Sequence, residues 1–81
     1  MLTAYLRAAL RLAHYEILVD DGQYFGEIPA CPGVYATART LEECRQELEE
    51  VLEEWVLFRV LRHLKLPVLG GLKLTVKRET V

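Results

Sequence analysis

Tyr24-Phe25-Gly26-Glu27-Ile28-Pro29-Ala30-Cys31-Pro32-Gly33-Val34-Tyr35-Ala36-Thr37, followed by Thr40-Leu41-Glu42-Glu43, decides the fold of this chain. Tyr-Phe-x-x-Ile reads as a strand. Pro29 and Pro32-Gly33 break it, because proline has no N–H for a ladder and glycine accepts positive φ. Val34 to Thr37 resumes extended structure. Thr40 with Glu43 three residues later is a capping box, in which each side chain satisfies a backbone N–H at a helix start. The order is strand, turn, strand, capped acidic helix.

Outward from that stretch, Leu2, Tyr5, Leu6, Ala9, Leu10 and Ala13 recur at i, i+3, i+4, i+7, i+8 and i+11. They predict an amphipathic helix over 2–13. Tyr15 to Val19 reads as a first strand, closed by Asp20-Asp21-Gly22 as a tight type I′ hairpin. The second strand is expected at about 23–28 and the third at about 33–37. The capped helix runs from Leu41 to about Leu64, where Pro67 and Gly70-Gly71 stop it. Leu72, Leu74 and Val76 alternate with Lys73, Thr75 and Lys77, predicting a half-buried strand over 72–78. The expected fold is a single α+β domain over 1–81, ordered α-β-β-β-α-β. A mostly antiparallel sheet carries the long helix on one face.

That helix has two regimes. Leu41, Cys44, Leu48, Val51 and Leu52 form one apolar stripe, whereas Trp55, Val56, Leu57, Phe58, Val60 and Leu61 wrap most of the circumference. A helix apolar nearly all round must be covered on more than one side. The sheet covers one side, leaving the N-terminal helix or a second subunit for the other. Eighty-one residues, 52% of them apolar, bury only about 60–65% of their unfolded surface. Association is therefore expected, as a homodimer or higher homo-oligomer, with Trp55, Phe58 and Leu61 as interface anchors.

Formal charge is segregated. Residues 1–15 carry +2, residues 16–58 carry −9 and residues 59–81 carry +5, for a total of −2. Glu43/Glu47, Glu49/Glu53 and Glu50/Glu54 are like-charged pairs at i, i+4, which mildly destabilise a helix. The acidic block is either a solvated face or a docking surface for a basic partner.

The chain offers little to an enzyme. Asp20 and Asp21 sit in a turn and Glu27 on a strand, with no spacing that assembles a magnesium site. His14 and His63 read as boundary residues, without a nucleophile beside either. Cys31 and Cys44 are too few for a disulfide framework and lack metal-ligand spacing. Cys44 falls on the apolar helix face, with a weak case for a lowered pKa near the helix start. Cys31 lies in the turn and is expected to be exposed. No catalytic residue, cofactor or metal is expected. Nor is a bilayer span, since no segment approaches the roughly 20 apolar residues required. Arg7 and Arg11 interrupt any secretory signal, so a soluble, cytoplasmic protein is expected. Serine and asparagine are absent and arginine outnumbers lysine seven to three, a composition that leans towards a thermophilic bacterium.

The α-β-β-β-α order also occurs in double-stranded-RNA-binding domains. Those grip phosphate through a basic second helix, where this chain places Glu42, Glu43 and Glu47. The basic end, Arg59 to Arg78, lacks a following recognition helix. Nucleic-acid binding is not expected.

From roughly residue 15 to 64, the strand, Pro-x-x-Pro-Gly turn, strand and capped acidic helix resemble the N-terminal domain of HicB-type bacterial antitoxins. The resemblance implies a partial ribonuclease-H-like fold and a non-enzymatic protein. It implies a partner, a small basic HicA-like toxin that cleaves messenger RNA and is neutralised by binding. Tyr24, Phe25, Tyr35, Glu49, Glu50 and Glu53 are the candidate partner-binding residues. Two departures stand out: a helix before the first strand, and an end at Val81 without the DNA-binding domain of many family members. The alternative is an orphan HicB-fold domain, structural or regulatory, whose partner is itself.

The capping box gives a first test. Thr40→Ala should cost about 1 kcal/mol, the usual loss for an N-cap hydroxyl, in a chemical denaturation series. An unchanged midpoint would mean that the helix starts elsewhere.

Overall fold

The computed structural model describes residues 2–69. Its elements are α1 (Leu2–Arg11), β1 (His14–Ile17), β2 (Tyr24–Glu27), β3 (Tyr35–Ala38) and α2 (Leu41–Leu61). This is the α-β-β-β-α order read from the sequence, and the strand expected at 72–78 lies outside the described residues. The sheet is an antiparallel meander of order β1-β2-β3.

The register sorts the strand residues into rows. Tyr15, Gly26 and Ala36 lie abreast, as do Ile17, Tyr24 and Ala38 on the same face. Side chains alternate along a strand, so Glu16-Phe25-Thr37 and His14-Glu27-Tyr35 form the rows of the opposite face. Helix α2 covers the first face. Its Cys44, Leu48, Leu52 and Val56 are buried, and the Cys44 thiol donates to the Ala36 carbonyl at 3.5 Å. At Gly26 the two layers approach closely. A Cβ there would stand 2.8 Å from the Tyr15 ring and 3.1 Å from Cys44 Sγ.

The loops depart from expectation in two places. A type I′ turn needs positive φ at both central residues, but Gly22 alone in this loop has it, at 71°. The connection is longer instead: the Leu18 N–H donates to the Gln23 carbonyl at 2.7 Å and the Gly22 N–H to the Leu18 carbonyl at 2.9 Å. The Asp21 carboxylate accepts from the Gln23 N–H at 3.1 Å, a local side-chain bond that favours the wider loop. Strand β1 accordingly stops at Ile17, and Val19 is exposed.

The Pro-x-x-Pro-Gly segment is two consecutive turns. The Cys31 N–H donates to Ile28 and the Val34 N–H to Cys31, at 2.9 and 3.0 Å, and the Ile28 N–H closes the loop on Val34. Gly33 supplies the positive φ, 95°. Ile28, Cys31 and Val34 thereby point together into the core, each buried. Cys31 is thus not the exposed turn residue expected. A turn whose every third residue faces inward places it beside Tyr5 and Leu69 in the same core cluster.

Both helices end earlier than their patterns suggest. The last turn of α1 tightens, with Leu12 and Ala13 donating to carbonyls three residues back. Tyr5 and Ala9 are buried, Leu6, Leu10 and Ala13 pack around them, and Leu2 is exposed. Helix α2 begins where foreseen, but only half of the capping box forms: the Thr40 hydroxyl accepts from the Glu43 N–H at 3.1 Å, whereas the Glu43 carboxylate accepts from that hydroxyl and not from the Thr40 backbone N–H. Its C-terminus closes in a Schellman motif, with His63 donating to Val60 and Leu64 to Arg59. His63 takes the left-handed position, φ 56°, that glycine commonly fills.

Past this cap the chain turns back along α1. The Tyr5 hydroxyl donates to the Pro67 carbonyl at 2.6 Å, Arg59 Nε donates to the Lys65 carbonyl at 2.8 Å, and Leu69 is buried in the core. Burial pushes the Tyr5 hydroxyl up to about 12.

Adding one methyl at Gly26 should test the seating of α2. Gly26→Ala forces the Tyr15 ring or the helix to move, and overpacking of this kind costs about 1–3 kcal/mol. A thermal or denaturant midpoint unchanged from wild type would contradict the tight approach.

Candidate interaction surfaces

Helix α2 occupies one face of the sheet, and among the described residues the other face is open. Phe25 and Tyr35, diagonal neighbours on β2 and β3, stack there with ring centroids 6.2 Å apart and planes 27° apart. Tyr35 is 60% exposed. Glu16, Glu27, Thr37 and His14 share the face and surround the aromatic pair. The result is an apolar centre with a largely acidic margin, which suits a partner carrying an apolar or aromatic anchor among basic groups.

Tyr24 does not belong to this surface. Alternation puts it with Gly26 on the helix side, where it is half-buried. Glu49, Glu50 and Glu53 lie on α2, across the sheet from the aromatic pair. The six partner-binding candidates therefore divide between two sides of the domain. Phe25 and Tyr35 are brought together, and the three glutamates form a separate region. Period-two alternation could have separated Tyr24 from Phe25 in the sequence, and Glu16 and Glu27 carry the same signal.

A shallow groove of about 520 Å³ separates the end of α1 from the start of α2. Arg11 and Arg45 line it together with Glu42 and Glu49. Its charges are mixed, so it matches no ligand of a single sign. Tyr15 forms part of its wall; burial raises the phenol pKa, an effect partly opposed by the neighbouring Arg45 guanidinium.

Around Trp55 the helix has a third surface. Trp55 and Val60 are half-buried against the core, whereas Leu57, Phe58 and Leu61 are 58%, 52% and 67% exposed. Neither α1 nor the sheet covers these three. Arg59 lies over the Trp55 ring and Arg62 over the Phe58 ring, each 4.9 Å from the ring centre.

Burial raises the pKa of both cysteines, so each is held as a thiol; Arg59 partly opposes the effect at Cys31, and Glu47 adds to it at Cys44. The lowered pKa considered for Cys44 is thus replaced by a raised one, because burial desolvates the thiol and Glu47 stands nearby. Among the described residues no group of three or more His, Cys, Asp and Glu could hold a metal ion. No helix among them is long and apolar enough to cross a membrane.

No curated protein matches this chain. The crystal structure of TTHA0281 from Thermus thermophilus is similar to it throughout, with 42% sequence identity, a TM-score of 0.89 and 95% of each chain covered. The family model described as UPF0150-like matches residues 4–67, which takes in most of α1, the sheet, α2 and the start of the returning segment. The chain belongs to the UPF0150-like family.

Proposed function

We propose that this protein is a HicB-like antitoxin that works by binding rather than by catalysis. Its target would be a small, basic HicA-like toxin that cleaves messenger RNA. The observation carrying this reading is the open sheet face, where stacked Phe25 and Tyr35 stand among Glu16 and Glu27. Membership of the UPF0150-like family supports it, as does the strand, turn, strand and capped-helix order that resembles HicB. A stacked pair of exposed Tyr35 and half-buried Phe25 supplies anchor area at small entropic cost, and surrounding carboxylates steer a basic partner. Seated there, the protein would cover the toxin's RNA-cleaving surface.

The orphan reading, in which the only partner is another copy, draws on the exposed Leu57, Phe58 and Leu61. The two readings use different surfaces and are compatible. A cytoplasmic setting follows from the proposed target.

The test is co-expression with the HicA-like protein of the same genome. Wild type should restore growth and bind the purified toxin. Phe25→Ala/Tyr35→Ala should weaken binding by at least about tenfold, the usual effect of removing central aromatic anchors, while circular dichroism shows a folded protein. Reversing Glu49, Glu50 and Glu53 to lysine, far from the aromatic pair, should alter mainly the association rate and its salt dependence. Failure of wild type to bind or rescue would refute the antitoxin reading. Full rescue by the double alanine variant would move the contact off the sheet.

A further inference from the structure

We propose that the edge of β3 takes up an extended segment of a basic protein as an added strand, with the partner's cations set against the glutamates on the neighbouring flank of α2. The register shows which backbone groups are free to pair. The Ile28 N–H donates to the Val34 carbonyl, which makes these two a bonded pair. Bonded and non-bonded pairs alternate along an antiparallel ladder, so Gly26 with Ala36 is the next bonded pair. Tyr35 and Thr37 therefore turn their N–H and C=O groups away from β2. Strand β3 is an edge of the sheet, and among the described residues no backbone group outside the ladder bonds either one.

Edges are ordinarily guarded by charges, proline or bulges. Apart from its length of four residues, this one carries none of them. Tyr35-Ala36-Thr37-Ala38 holds no charge and no proline, its register is unbroken, and Arg39 follows only past its end. The charge lies beside it. Helix α2 packs chiefly on β3 and β2, and its Leu41, Glu42, Arg45 and Glu49 flank faces α1 and the Tyr15 wall on β1. At 3.6 residues per turn, the opposite flank carries Glu43, Glu47 and Glu54, all exposed. The sheet order puts that flank on the β3 side.

An added strand alternates its side chains between the two faces of the sheet. One set would lie next to Glu43 and Glu47, the other beside exposed Tyr35. A segment alternating basic with apolar residues matches both rows, and its backbone gains the bonds that Tyr35 and Thr37 offer. A second copy of β3 does not fit, because pairing about a two-fold axis sets the Glu43 and Glu47 flanks against each other. The β1 edge fits less well, since it borders the groove holding Arg11 and Arg45. This inference rests on the antitoxin reading for its partner, and it extends the Phe25 and Tyr35 contact onto the added strand.

The experiment follows backbone amide exchange by NMR in the full chain, with two probes. One is the HicA-like protein of the same genome, the other a short capped peptide alternating lysine and valine. In the free protein the Tyr35 and Thr37 amides should exchange without protection. With either probe at about ten times its Kd, both should slow by about tenfold. Thr37→Pro removes an outward N–H and leaves the ladder to β2 intact. It should weaken both probes by about tenfold or more, with native circular dichroism, whereas Thr37→Val should not. Glu47→Lys/Glu54→Lys should weaken both by about tenfold, and a peptide alternating glutamate and valine should not bind. Toxin binding that leaves both amides unprotected would overturn the inference and spare the antitoxin reading. Protection by the lysine peptide without any toxin binding would do the reverse. Equal binding of the glutamate peptide, or no protection by either probe, would also overturn the inference. So would slow exchange of both amides in the free chain, which gives the edge to residues 70–81 or to a second copy.

Discussion

The contact on which the rest depends is the approach of the sheet to α2 at Gly26. With no Cβ at this position, the Tyr15 ring and Cys44 Sγ can occupy the space between the layers. The same row carries Ala36, whose carbonyl accepts from the Cys44 thiol. All three strands thus meet the first buried residue of α2 at one level. This fixes the rotation of the helix about its own axis. Once Cys44 faces the sheet, Leu48, Leu52 and Val56 follow it into the core, and the stripe from Glu43 to Leu61 faces away. The small residues Gly26 and Ala36 determine which surfaces remain for partners.

Legibility in the sequence followed the range of the interactions. Thr40 and Glu43 are three residues apart, and their bond is local, so the start of α2 could be read directly. The three strands were legible from breakers and β-propensity to within a few residues. The Asp-Gly hairpin was misread because the Asp21 side chain bonds the Gln23 backbone and widens the loop. Cys31 was misplaced because its burial depends on two successive turns presenting Ile28, Cys31 and Val34 inward together. The bond from Tyr5 to Pro67 spans 62 residues and leaves no local trace. Of the candidate surface, Phe25 and Tyr35 were named as partner-binding residues, but their division from Tyr24 and the α2 glutamates needed the register of the sheet.

What remains outside the core has a consistent logic. The domain seals one sheet face and one helix stripe with Tyr5 and with small and branched apolar side chains, and its Phe25–Tyr35 pair lies on the opposite sheet face. Phe25 and Tyr35 contribute to the sheet as a diagonal cross-strand pair, yet among the described residues their outer faces meet no other element. Leu57, Phe58 and Leu61 likewise add little to the isolated fold. A short chain has little apolar area to spare, and this much of it lying outside the core is what motivates the proposed association. The two surfaces differ in kind. The sheet face carries an acidic margin around its aromatic pair, and the end of α2 exposes Leu57, Phe58 and Leu61.

The seating of α2 on the sheet is tested most directly by native-state amide hydrogen exchange. If Gly26, Tyr15, Cys44 and Ala36 clamp the two layers, the buried stretch from Cys44 to Val56 and the central strand β2 should open as one unit. Their slowest amides would then share a single opening free energy, equal to that of global unfolding. Fraying would be confined to the start of α1 and the loop around Gly22. Exchange of α2 at a markedly lower opening energy than β2 would show the helix leaving an intact sheet, and would contradict the account.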